Sequence, residues 1–194
     1  MAFTTDNRLS PRANTFAFVH SIYLKKSKIM NQTALSPQPL AQMITSPELL
    51  DHWQGHRGLT RRVIEVFPED ELFHYTIGGM RPFAEMVVEL LSIAAPGLRE
   101  IVTGKSTSLN EHLDHGNRKA YLLQQWDETT NILNDLWPQI GVERFHEKIK
   151  TFGQYEGTVL SSILYFIDNE IHHRGQGYVY LRSLGVEPPA FWDR

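Results

Sequence analysis

Between Gly157 and Gly185, one helical face of this chain recurs at spacings of four, three, four, three and four: Ser162, Phe166, Asn169, His173, Gln176 and Tyr180. Residues three and four apart share a helix face, so this is the spacing of a core stripe. Five of the six nevertheless carry a polar group. The opposite side (Leu160, Leu164, Ile167, Ile171, Tyr178) is apolar as well. Such a helix cannot turn its polar seam to bulk water without exposing something else. The pattern predicts a helix over about 157–184 with one face in the core and another on a polar cleft between helices. Bundle interiors of that kind are where metal and cofactor sites are built.

Three further helical patterns precede it. The first opens at Ser46-Pro47-Glu48, with Ser46 expected as N-cap and Pro47 at the first helical position. Its stripe of Leu49, Trp53, His56, Thr60, Val63 and Phe67 runs to Pro68. The second spans about 82–94, on Phe83, Met86, Val87, Leu90, Ile93 and Ala94, with Pro96-Gly97 expected to break it. The third spans about 118–137, on Leu122, Trp126, Thr129, Leu133 and Leu136. No convincing strand signal separates them, and the expected architecture is an all-α four-helix bundle. The polar segment 103–116 is long for a connection, and long loops are often functional.

A chain of 194 residues, 41% hydrophobic and 21% charged, can bury a real core. The net charge of −3 gives no electrostatic footing for nucleic acid, and no apolar run approaches the roughly 20 residues that span a bilayer. A cytoplasmic protein is expected. The absence of cysteine excludes disulfides, thiolate metal sites and a protein-borne thiol nucleophile. Any thiol chemistry would use a small exogenous thiol. Residues 1–29 carry +4 and the remaining 165 carry −7. With Pro37 and Pro39 following, residues 1–42 read as a disordered extension and linker, and 43–194 as the folded domain.

The stretch Asn169-Glu170-Ile171-His172-His173-Arg174-Gly175-Gln176 concentrates the chemistry. His173 is a metal ligand if its second ring nitrogen finds an acceptor, or else a satisfied core histidine. Asn169, one turn earlier, offers a weak amide ligand or organises hydrogen bonds. Glu170 and Arg174, four apart, are expected to pair on the helix flank, and Asp168 and His172 can pair likewise. Glu170-x-x-His173 has di-iron spacing. However, the matching pairs, Glu71/His74 and Glu143/His146, lie in connections rather than on facing helices. His56, four after His52, is expected to line the same cleft as Tyr165, Gln176 and Tyr180. By periodicity alone Glu89 belongs to a solvated strip with Glu85 and Ser92.

The fourth pattern, from Asn169 through Tyr180-Leu181-Arg182-Ser183-Leu184-Gly185 to Pro188-Pro189, resembles the C-terminal signature of the DinB-like family. The stretch Phe83-Ala84-Glu85-Met86-Val87-Val88-Glu89-Leu90 resembles that family's second helix. The resemblance covers about 44–190. It implies an up-down-down-up bundle, frequent dimers, and a divalent metal held by three histidines, one on the second helix and two on the fourth. Some branches are transferases or isomerases that use low-molecular-weight thiols. Here Glu89 stands where the second-helix histidine is expected, Asn169 stands where the first fourth-helix histidine is expected, and His173 is retained.

The resemblance therefore assigns Glu89, Asn169 and His173 as metal ligands. One carboxylate, one amide and one imidazole leave a dication at +1 rather than +2. Such a centre acidifies bound water less than a three-histidine zinc site. Its harder donors shift preference from zinc toward iron, manganese or nickel. Two functions are expected from this set: a metal-dependent transferase or hydrolase using a small thiol or water, or a non-catalytic stress-response or binding bundle with a degenerate metal site. A homodimer is expected in either case.

Overall fold

The computed structural model describes residues 43–194. The expectation for residues 1–42 lies outside the described residues. Helix α1 spans Ser46–Val66, α2 Glu69–His74, α3 Phe83–Thr103, α4 Lys119–Leu136 and α5 Val159–Ser183. Among these, α3 packs chiefly on α4 and α5, and α1 on α5 and α4, which closes the expected four-helix bundle with α2 as a short connector. No helix among the described residues is long and apolar enough to cross a membrane.

Several expectations need correction. The N-cap of α1 is Thr45, not Ser46. Glu48 lies three residues after Thr45, so the two close a capping box: Glu48 N–H donates to Thr45 Oγ1 at 3.3 Å and Thr45 N–H to Glu48 Oε2 at 2.7 Å. Ser46 Oγ instead accepts Trp137 Nε1–H at 2.9 Å. The second helix does not stop at Pro96; α3 continues to Thr103. Beyond the proline, Leu98 and Ile101 are fully buried, each contributing about 1.5–3 kcal/mol, which offsets the roughly 3 kcal/mol cost of an interior proline. The helix ends at Gly104, whose φ of 68° few other residues adopt.

The third correction concerns strands. Lys148–Thr151 (β1) and Tyr155–Thr158 (β2) form an antiparallel hairpin ahead of α5. Four-residue strands are too short to show a period in the sequence. Their anchor is remote: Glu100 on α3 accepts the backbone N–H of Phe152 with both carboxylate oxygens at 3.1 Å. Buried Thr151 and Phe152 seat the turn against the bundle.

The core falls into two apolar clusters. One gathers Trp53, Leu98, Leu133, Trp137 and Phe166; the other gathers Phe67, Phe83, Leu122, Trp126 and Tyr180. Between them α1, α4 and α5 contribute polar side chains. Buried Glu170 accepts from Thr60 Oγ1 at 2.7 Å and Trp53 Nε1 at 3.4 Å, and lies 3.6 Å from Arg57 Nη1. Arg57 donates to Thr130 Oγ1 and the Trp126 carbonyl, with its guanidinium 4.0 Å over the Trp126 ring. Arg174 donates to the His56 carbonyl and to Thr60 Oγ1. Glu170 and Arg174, expected to pair with each other on the helix flank, are instead both buried and each turns to partners on α1. Leu164 and Ile171, expected in the core, are exposed. Arg57 and Glu170 face each other across α1 and α5 at ion-pair distance, and Arg57 Nη1 is left without a hydrogen bond.

Burial pushes the Glu170 carboxyl up, and Arg57, Thr60, Arg174 and Trp53 counter it without cancelling it. Burial also brings Arg57 down to about 10 against the pull of Glu170 and Asp127.

Candidate functional site

Glu89 sits about a third of the way along α3, where the helix faces α5. Its Oε1 lies 3.1 Å from His173 Nε2 and 3.2 Å from Asn169 Nδ2. Asn169 and His173 are four apart on α5, so both point at the same carboxylate. Glu89 is 15% exposed and His173 9%, which makes this a sheltered centre and not the solvated strip that periodicity suggests. Burial raises the Glu89 carboxyl, but hydrogen bonds from Arg81, His173 and Asn169 outweigh it and hold the group below the usual carboxylate range.

Two further residues shape the centre. Gln176 Oε1 lies 2.7 Å from His173 Nδ1, while its Nε2 faces Met80 Sδ at 3.9 Å. With its amide oxygen toward the ring Gln176 favours the proton on Nδ1, and with its amide nitrogen there it favours the proton on Nε2, donated to Glu89 Oε1. With the ring proton on Nε2 the 3.1 Å contact is an ordinary hydrogen bond to Glu89 Oε1; with it on Nδ1 a bound cation would stand between the two atoms. Arg81 pairs with the other oxygen, Glu89 Oε2. The Arg81 carbonyl accepts the hydroxyl of fully buried Tyr180 at 2.9 Å, which fixes the backbone at that point.

Donors bound at about 2.0–2.2 Å to one ion, at near-right angles, lie about 3 Å from each other. The Glu89–His173 contact has that separation, as an ordinary hydrogen bond does, and a carboxylate with an imidazole suits a divalent ion in hardness, whereas Asn169 presents its amide nitrogen. Ligation by Asn169 requires its amide to turn the oxygen inward, and Arg81 competes for the carboxylate. No group of three or more His, Cys, Asp or Glu side chains is gathered for a metal among the described residues, because the third member here is an amide.

Beside the centre lies a cavity of about 320 Å³ walled by Glu89, Tyr165, Phe166, the hairpin and the 104–117 segment. Of the expected lining residues, Tyr165 borders it. Burial, then Tyr155, Glu89 and Glu111, raise the Tyr165 hydroxyl pKa. Gln176 touches His173 instead, and Tyr180 is buried below Arg81.

His56 lies elsewhere, within the polar layer. Its Nδ1 accepts from Arg174 Nη2 at 2.9 Å and its Nε2 faces His52 at 3.2 Å. Burial foremost, then Arg174, His52 and Arg194, hold it at about 4. Sequence reasoning missed Arg81, Glu111 and the hairpin. Arg81 lies two residues ahead of α3, outside the helical repeat, so no spacing rule joins it to Glu89.

A family model described as the DinB family matches residues 30–193. Among solved structures, the chain is similar to a DinB-like protein from Bacillus cereus ATCC 10987. That similarity has a TM-score of 0.62 and 14% identity, and covers 74% of this chain and 95% of that one. It is similar also to a DinB-like protein from Bacillus subtilis, with a TM-score of 0.60 and 18% identity, over 76% and 99% respectively. No curated protein matches it.

Proposed function

The chain belongs to the DinB family, and from that premise we propose that it binds a divalent metal ion between α3 and α5 and presents it to a small molecule in the adjoining cavity. Glu89 and His173 are the principal ligands and Asn169 the third. The observation that carries this reading is the convergence of His173 Nε2 on Glu89 Oε1 at 3.1 Å in a sheltered place, with Gln176 engaging the ring's other nitrogen. When bound, the ion supplies Lewis acidity to a water, thiol or polarised substrate. With no cysteine in the chain, a thiol route takes its sulfur from a small molecule. The protein's own groups orient the imidazole through Gln176, hold Arg81 through Tyr180, and limit water around Glu89 by burial. The reaction class that suits such a centre is transfer to, or hydrolysis by, the metal-held nucleophile.

A second reading is favoured by one contact. The Arg81 guanidinium already neutralises Glu89. If it acts as the resident cation, with His173 and Asn169 hydrogen-bonded to the same carboxylate, the centre is a metal-free polar lock in a binding bundle.

Calorimetric titration with Mn²⁺, Fe²⁺, Ni²⁺ and Zn²⁺ separates the two readings. Metal binding predicts measurable affinity in the parent chain, a loss of at least about tenfold in His173→Ala, and a gain in Arg81→Gln, where competition is removed. Absence of binding in both the parent and Arg81→Gln would leave only the polar lock.

A further inference from the structure

We propose that the cavity beside Glu89 takes an organic cation, a primary amine on a small apolar body, and rejects a carboxylate of the same shape. This names the ligand class of the site described above and rests on that cavity being the ligand site. Among the described residues thirteen line it; none of these is Lys, Arg or His, and three, Glu89, Glu111 and Glu156, are carboxylates. Buried Ile93 and Phe166 supply an apolar floor. At the lip stand Tyr155 and Tyr165, each about half exposed, with ring centroids 6.4 Å apart and planes 25° from parallel. Ammonium groups are attracted to tyrosine faces within about 6 Å, and the attraction grows as water is excluded.

The cations that balance these carboxylates approach from outside the lining. Arg81 pairs with Glu89 and stands 3.9 Å from Glu111, and Lys150 stands 3.8 Å from Glu156. The Glu111 and Glu156 contacts are solvent-exposed and long, so they are weak and readily exchanged. An entering ammonium meets carboxylate oxygens and ring faces, whereas an entering carboxylate meets like charge on several sides. A metal ion at Glu89 would occupy that carboxylate and leave Glu111 and Glu156 facing the amine. Any thiol that uses this cavity is accordingly one whose other end is neutral or cationic.

Calorimetry on the full chain in EDTA, at low salt, tests this with benzylamine, benzyl alcohol and phenylacetate, which are near-isosteric. Benzylamine is expected to bind at least about tenfold tighter than phenylacetate, with the alcohol between them. The Glu111→Gln/Glu156→Gln variant should lose about fivefold or more in benzylamine affinity and keep its benzyl alcohol affinity. Tyr165→Leu should weaken benzylamine more than benzyl alcohol. Phenylacetate binding as tightly as benzylamine, no binding of any probe at millimolar concentration, or an unchanged amine affinity in the double variant would each overturn the proposal. The titration is metal-free and leaves His173 intact, so a chain that binds no divalent ion yet takes benzylamine retains this inference and loses only the metal.

Discussion

Replacing Gly177 by alanine tests how tightly α5 is pressed onto α3. In a helix interior, alanine is favoured over glycine by about 0.8–1.0 kcal/mol. At position 177 the new Cβ would lie 2.6 Å from Phe83 Cε2, 2.7 Å from Cζ and 3.1 Å from Cδ2. Ordinary carbon contacts are about 3.5–4.0 Å, so the ring would have to retreat by nearly 1 Å. It has no room to do so, being fully buried and stacked on Phe67 at 4.7 Å and 14°. Overpacking of this kind costs about 1–3 kcal/mol, so the net change for Gly177→Ala is a loss of up to about 2 kcal/mol. Gly175, two residues earlier on the same helix, is exposed and a Cβ there meets nothing within 4 Å. Gly175→Ala should therefore keep the whole helical gain. The propensity term cancels between the two variants, so their difference, about 1–3 kcal/mol, is the packing cost alone. Urea unfolding followed by far-UV circular dichroism measures it, provided the denaturant slopes agree. Two variants of equal stability would show that the Phe83 ring yields freely, and the argument from close approach would be wrong.

In the polar layer, Arg57→Met or Glu170→Leu alone should cost about 3–5 kcal/mol, whereas the double variant should recover most of that loss; an additive cycle would refute coupling across α1 and α5. His56 gives a pH signature. Its folded value near 4 lies below the ordinary 6.5, so the unfolded chain takes up the proton first. Stability should thus be complete above pH 6.5 and fall as pH drops toward 4. The loss is at most about 3 kcal/mol, and about 2 once the wetter His52 side is allowed for. His56→Asn should flatten that acid limb in melts between pH 4 and 7. Glu100→Gln should cost about 1–2 kcal/mol and speed amide exchange at Phe152 and Thr107, whose N–H groups the carboxylate accepts. Unchanged exchange at both would show that the hairpin is held by other contacts.

The bundle was legible because its helices are long and strongly patterned, and stripes such as Leu122, Trp126 and Leu133 are buried as their spacing predicts. The meeting of Glu89 with Asn169 and His173 was not readable from period alone, which assigns Glu89 to solvent; it followed from the family resemblance. Two kinds of feature escaped. Arg57 and Glu170 lie at core registers of two separate helices, and a charge at such a register looks like a surface residue until its partner 113 positions away is known. Continuation of α3 past Pro96 and formation of the hairpin depend on burial and on the remote Glu100, neither of which is a local signal.

The charged stratum across α1, α4 and α5 has a geometric corollary for the chemistry above it. Greasy surfaces can slide along one another by a turn at little cost, but a guanidinium and a carboxylate that must meet at one height cannot. Glu170 precedes His173 by three residues on the same rigid rod, so anchoring the former to Arg57 sets the elevation at which the imidazole is delivered to its neighbour on α3. In the uncharged Arg57→Met/Glu170→Leu pair, stability should largely return while that elevation loosens, doubling the histidine ring resonances in NMR spectra. A single sharp set would mean that the hydrocarbon alone keeps the rods in step.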